Sequence, residues 1–359
     1  MYMIRKLLPN ILIPVILTGI HVTLTQELPS IGTYRKEDTP EEVTDFSDYQ
    51  FEILAHETIE IRAAESDVTY HFYSQNGTPD VAIKHNNLHL LNKTHFCICK
   101  YTIFIIHGWK GDRASSFNYY VKEALLKKHN INLFVVDWSP VAKRNYLTAK
   151  LSVLDVGRFV ATFIKSLVSQ YDLDLSKLAF VAHSLGAHIA GNAGAALNGQ
   201  VDYIVGLDPA SPLFTKGNLD NRLDRTDAKF VQIIHTNGGY LGVRNPAGHS
   251  DYFPNGGCAQ PGCGYDFFKR CSHARAWKFY VESVTSDGNL FVSRRCCSYG
   301  RYASGFCNDN NVSFMAGYPI DFKYLAKVNA NSPPPHHIGP RTCDMFTVYL
   351  LLITSLKEP

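Results

Sequence analysis

Residues 182–186 read Ala-His-Ser-Leu-Gly, entered by the apolar run KLAFVA (177–182) and left by the small-residue run GAHIAGNAGAA (186–196). A serine on such a strand-to-helix turn holds its hydroxyl above the sheet, with the following backbone N–H groups aimed at whatever the hydroxyl attacks. Small neighbours are a steric need, because the turn is tight and the helix must pack close to its strand. Gly186 meets that need after Ser184, and Ala182 stands where a glycine is more usual. The chemistry this implies is nucleophilic attack. A serine hydroxyl performs it at neutral pH only if an imidazole takes its proton and a carboxylate orients that imidazole.

Both partners are found downstream. The run VDYIVGL (201–207) reads as a strand and ends in Asp208-Pro209. In an open sheet with helical crossovers, active sites lie at the carboxyl ends of the strands, which puts Asp208 at the edge where Ser184 emerges. An Asp before Pro is also ordinary turn chemistry. His273, in CSHARAW (271–277), is the base best placed among fifteen histidines. His183 and His188 flank the nucleophile and read as packing or hydrogen-bonding residues, and His235 ends a strand and reads as structural. The negative oxygen of a tetrahedral intermediate needs preorganised N–H donors. Leu185 supplies one through its backbone. Trp109 supplies the other, because Gly108 lets the chain turn at the end of the strand YTIFII (101–106).

These residues require a scaffold, and its elements are legible. Strand-like segments lie at 68–74, 101–106, 132–136, 177–182, 201–207 and 229–235, with helical stretches at 117–128, 151–170 and 186–196. On 151–170, Leu154, Val156, Phe159, Val160, Phe163, Ile164 and Leu167 form one helical stripe. Alternation of this kind predicts parallel βαβ units in a doubly wound sheet. The order Ser, Asp, His is that of α/β-hydrolases.

The 359 residues suffice for a full α/β core, and 35 basic against 32 acidic side chains leave a net charge of +3. That balance, without a basic run interleaved with aromatics, gives no nucleic-acid partner. Residues 1–25 carry Arg5 and Lys6 before an apolar stretch, the form of a signal peptide; Pro9 and Pro14 argue against a membrane span. Residues 26–66 are polar and read as a surface arm, 67–335 as the hydrolase domain, and 336–359 as a tail whose apolar part either dangles, docks on the core or signals a lipid anchor. Nine cysteines suit an oxidising compartment, hence a secreted protein, and the odd number leaves one over. Asn76, Asn92 and Asn311 head glycosylation sequons.

Taken in order, FIIHGW (104–109), VVDW (135–138), LAFVAHSLGAHIAG (178–191), GLDPASPLF (206–214), DAKFVQIIHTN (227–237), GHSDYFPNGG (248–257), PGC (261–263) and CSHARA (271–276) closely resemble the pancreatic (neutral) lipase family of animals. The resemblance implies an α/β-hydrolase fold, a mostly parallel central sheet with helices on both faces, and Ser184, Asp208 and His273 as catalytic triad. It implies a bridge Cys263–Cys271 closing a lid loop, and another from Cys296 or Cys297 to Cys307. Three departures follow. No β-sandwich domain is expected after the hydrolase domain, and with it no colipase partner. The lid is only GYDFFKR (264–270), as in the phospholipase A1 branch, which includes secreted arthropod members. Phe267 and Phe268 would enter acyl chains while Lys269 and Arg270 meet phosphate, or the loop is a small one with inward aromatics. Finally, the family calcium loop is matched by Arg222, Asp224 and Asp227 but not by Leu219, so no cofactor is required and a structural calcium stays open. The expected activity is phospholipase A1 cleavage of sn-1 esters by a monomer at a membrane or micelle surface. Triacylglycerol or galactolipid hydrolysis is the alternative, and a non-catalytic yolk-type lipid carrier the remaining one.

Overall fold

The computed structural model describes residues 63–75, 81–214, 221–264, 269–286, 291–296, 301, 304–310, 312–315 and 347–351. All of these belong to the unit Asp45–Pro359. The leader 1–25, most of the arm, Asn76, Asn311, Phe267, Phe268, Cys297 and Cys343 lie outside them.

The central strands are β1 (Thr69–Ser74), β2 (Val81–Ile83), β3 (Thr102–Ile106), β4 (Asn132–Asp137), β5 (Leu178–His183), β6 (Tyr203–Leu207), β7 (Phe230–Ile234) and β8 (Ser250–Pro254). They are joined by β9 (Val292–Arg295), β10 (Val312–Phe314) and β11 (Thr347–Leu351). Among the described residues they form one sheet in the order β10-β9-β11-β8-β7-β6-β5-β3-β4-β1-β2. From β4 to β8, and on to β11, neighbours are parallel; the two margins of the sheet are antiparallel.

Strands β3 and β6 are buried at every position, as expected where both faces of a parallel sheet are covered. Successive side chains point to opposite faces. Phe104 and Ile106 pack with Phe134 and Phe180 on one face; Ile103 and Ile105 pack with Val135 and Val181 on the other. Helices α1 (Ser116–Lys128), α2 (Ser139–Ala142), α3 (Tyr146–Leu151), α4 (Val153–Tyr171), α5 (Leu185–Ala196) and α6 (Arg270–Thr285) complete the layers. The first face takes Val156, Val160, Phe163 and Leu167 of α4 with Ile189 and Ala193 of α5. The second takes Phe117, Val121 and Leu125 of α1 with Trp277 and Tyr280 of α6.

The stretch predicted as one helix over 151–170 is divided at Ser152, whose hydroxyl donates to Thr148 O at 2.9 Å and so competes with the helix's own bonds. Ala63, within the segment read as a surface arm, packs in the core. The apolar part of the tail, left open above, supplies β11, parallel to β8 and antiparallel to β9. Strand β8 was not foreseen either. A buried Asp251 and a terminal Pro254 disguise it as a loop, and it is tolerated because Asp251 is fully bonded.

From β3 the chain goes outward to β4 and then returns to β5 on the other side of β3. The crevice of a doubly wound sheet opens at such a reversal. Removing residues 347–359 would leave β8 and β9 without their shared partner. At about 1 kcal/mol per lost ladder bond, this should lower the thermal midpoint by an amount on the order of 5–10 °C, read by scanning fluorimetry. An unchanged midpoint would show that the strand adds nothing.

Candidate active site

Ser184 follows the last residue of β5 and is the N-cap of α5, with φ 58° and ψ −124°. A non-glycine residue rarely adopts this conformation, and the structure around it must hold it there. Its N–H donates to Leu207 O, the end of the neighbouring strand. Leu185 is the first residue of α5, so its N–H has no acceptor within the helix and is available to a ligand. The loop after β3 closes on the same point. A Cβ at Gly108 would stand 2.7 Å from Ser184 Cβ and 3.2 Å from its Oγ, a space only glycine leaves open. Trp109 comes next, and its indole Nε1 donates to Arg144 O at 2.9 Å, which anchors the turn.

His107 organises that turn from beneath. Its Nδ1 faces Gly108 O at 3.0 Å, its Nε2 lies 3.5 Å from Asp137 Oδ1, and its carbonyl accepts the Trp138 indole N–H at 2.9 Å. Burial raises the Asp137 carboxyl, but hydrogen bonds from His107 and the Ser139 N–H outweigh it and hold the group well below the usual carboxylate range.

At the end of β6, Asp208 is fully buried with φ 45°. Its Oδ2 lies 2.6 Å from His273 Nδ1, while Oδ1 accepts the N–H groups of Thr236 at 2.8 Å and Asn237 at 3.0 Å. Gly242 folds over the carboxylate so tightly that a Cβ there would fall 2.3 Å from Oδ1. With Nδ1–H donated to Asp208, the imidazole of His273 keeps a lone pair on Nε2.

His273 is in the first turn of α6, beside the end of β5. His183 Nε2 donates to His273 O at 3.2 Å, and the two rings are 4.5 Å apart. Burial, and then the neighbouring His273, push the His183 pKa well below 6.5, so this ring stays neutral beside its partner. Ser184, Asp208, His273, Trp109 and Leu185 are therefore brought to one edge of the sheet around the β3–β5 reversal. Thr236 and Asn237 had no assigned part; the signal was the HTN that ends the seventh strand.

His188 and His235 serve the structure around the site. His188 donates from Nε2 to Ala210 O at 2.8 Å and accepts from Leu223 N–H at 3.0 Å; burial pushes its pKa down to about 3. His235 is wholly buried, 2.8 Å from Asp251 and 2.9 Å from Val243 O.

The structure contains the bridges Cys263–Cys271 and Cys296–Cys307. It adds Cys97–Cys99, which was not foreseen, and leaves Cys258 as a thiol. Lys269 and Arg270 lead into α6, so the end of the lid loop abuts His273. Asn92 is exposed and its Oδ1 accepts the Tyr171 hydroxyl at 3.1 Å.

The carboxylates considered for calcium cap a turn. Asp227 Oδ2 accepts Asp224 N–H at 2.8 Å, and Asp224 Oδ1 accepts Thr226 N–H at 2.7 Å. Among the described residues no group of three or more His, Cys, Asp or Glu side chains is arranged to hold a metal. Calcium takes six to eight oxygens, and these two engaged carboxylates do not fit that need by themselves.

Residues 45–327 match the family model described as Lipase. The chain belongs to this family. The mostly parallel sheet and its two helical faces are the α/β-hydrolase fold. Pancreatic triacylglycerol lipase of Myocastor coypus is 34% identical over 239 residues, 60% of this chain and 52% of that protein. Phospholipase A1 member A of Bos taurus is 36% identical over 226 residues, 61% and 49% respectively. Pancreatic lipase-related protein 2 of Bos taurus is 33% identical over 267 residues, 67% and 56%. The chain spans about half the length of the curated relatives it matches.

Two expectations follow for this family member. His183→Phe keeps an aromatic ring but loses the donor to His273 O, whereas His183→Gln offers an N–H near the same place. The first should lower kcat about tenfold with KM little changed, and the second should restore most of it. Equal rates in the two variants would remove His183 from the positioning of His273. Burial pushes the Asp227 carboxyl up to about 8, against the lowering by Asp224 N–H. An acid whose pKa is raised on folding costs stability as pH rises from the ordinary carboxyl range to about 8, and no more beyond. Asp227→Asn should thus raise the thermal midpoint at pH 8 and leave it unchanged near pH 4; equal shifts at both would refute the buried neutral acid.

Proposed function

We propose that this chain is a secreted serine hydrolase of lipid carboxylic esters, and that its substrates are the sn-1 acyl esters of phospholipids. The 2.6 Å contact between His273 and Asp208, beside the strained turn that carries Ser184, is the observation that carries the reading.

In this mechanism His273 Nε2 accepts the Ser184 proton while Oγ attacks the ester carbonyl. Asp208 holds the ring through Nδ1–H and stabilises the imidazolium that forms. The N–H groups of Trp109 and Leu185 bind the oxyanion. Collapse expels the alcohol, to which His273 returns the proton, leaving an acyl-serine. Water activated by the same imidazole then releases the fatty acid and regenerates Ser184. No step draws on a metal or organic cofactor, because each proton and charge has a side chain or N–H to receive it.

The choice of phospholipid is supported by the short lid. The loop closed by Cys263 and Cys271 spans a sequence separation of 8, too few residues to roof a broad apolar cleft. A site left open in water suits an amphiphile whose headgroup stays solvated. A phospholipase A1 stands among the relatives. Triacylglycerol hydrolysis is the second reading, because triacylglycerol lipases match at similar identity. The disulfides support secretion, since they persist in oxidising compartments.

Phosphatidylcholine labelled separately at sn-1 and sn-2, offered beside a triolein emulsion, tests this directly. Release of the sn-1 label should dominate, and Ser184→Ala should reduce it by a factor on the order of 10⁴ or more with an unchanged melt. Preferential triolein cleavage would overturn the phospholipid assignment, and a Ser184→Ala enzyme of near-parental rate would overturn the serine mechanism.

A further inference from the structure

Strands β3 to β7 end at one edge, so the loops after β3 and β4 lie on one side of Ser184 and those after β6 and β7 on the other. Each side presents an aromatic ring with a lysine over it. On the first, Trp109 is 36% exposed with Lys110 Nζ 5.1 Å from its ring centre, beside exposed Lys143 and Arg144. On the second, Tyr240 is 53% exposed with Lys269 Nζ 4.7 Å from its ring centre, beside exposed Arg244 and Arg270. Within residues 107–115, 138–146, 235–249 and 269–273 the acidic side chain is Asp112 alone. Lys143 neutralises it at 2.8 Å. Arg144 and Arg244 have no ion-pair partner among the described residues.

Trp and Tyr rings settle at the headgroup level of a bilayer, where one end is apolar and the other wet. Lysine stems lying along such rings cover apolar surface while the ammonium reaches outward. Basic side chains in this position are drawn to anionic headgroups and act over about one Debye length. We propose that this rim docks the site onto lipid bilayers of net negative charge and selects them over zwitterionic ones. The inference rests on the lipid-ester reading and adds which surface brings substrate to it. A sulfated polysaccharide would use the cations but has no use for the exposed rings.

The test uses Ser184→Ala protein, which binds without turnover, sedimented with phosphatidylcholine vesicles with and without phosphatidylglycerol. Binding should require phosphatidylglycerol and fall as salt is raised. At about fivefold per basic side chain, Arg144→Glu with Arg244→Glu should weaken it at least about 25-fold. Tyr240→Ser should weaken binding to the phosphatidylglycerol vesicles at low and at high salt alike. With Ser184 restored, all three substitutions should leave hydrolysis of a water-soluble short-chain ester at the parental rate. Equal partition onto both vesicle types, or no response to the double reversal, would overturn the proposal. So would loss of heparin binding on double reversal while vesicle binding persists. Anionic vesicle binding by a parental protein that hydrolyses no ester would sustain the docking surface and refute the hydrolase reading instead.

Discussion

A carboxylate wholly removed from water is the constraint around which the edge of this sheet is built. Asp208 lies beneath Gly242 with no exposure, and burying an ion costs several kcal/mol unless its oxygens are bonded. Three donors meet it: His273 Nδ1 on Oδ2, and the amides of Thr236 and Asn237 on Oδ1. Those amides belong to the loop after β7, so the acid at the end of β6 is held by the next strand in the sheet. Orientation of the imidazole is thereby a property of strand order, not of a local turn.

The same device recurs on either side. His107 faces Asp137 between the ends of β3 and β4, and His235 faces Asp251 between β7 and β8. Each pair joins adjacent strands and fixes the loop that leaves one of them. The His235 pair secures the loop whose amides hold Asp208. Oxygen atoms face both of its ring nitrogens, Val243 O at 2.9 Å and Asp251 Oδ1 at 2.8 Å. What distinguishes the Asp208–His273 pair is its surroundings. His273 Nε2 is left without a protein partner among the described residues, whereas both nitrogens of His235 are consumed. The proposed chemistry falls where one such pair remains incomplete.

Much of this was legible in the chain. The apolar strand running into small residues marked Ser184, and the strand ending in Asp208 and the histidine at the start of a helix followed in order. Continuous apolar runs such as TIFII and LAFVAH announced a sheet covered on both faces. Less legible were β8, whose Asp251 reads as loop until His235 is seen opposite it, and β11, whose parallel partner β8 lies about a hundred residues earlier. The hydrogen bonds by which Asp224 and Asp227 cap their turn were likewise not legible from residue types. Cys97–Cys99 was also missed, and spacing alone gives no reason to pair them.

By itself, then, the sequence determined the scaffold and the candidate reacting groups, because apolar periodicity and the order Ser184, Asp208, His273 can be read along the chain. Tertiary structure alone decided which amides hold the acid, which histidine keeps a nitrogen open, and which segments complete the sheet. Those outcomes depend on groups distant in the chain meeting where water is excluded. Their energies come from pairing and desolvation that no single segment contains.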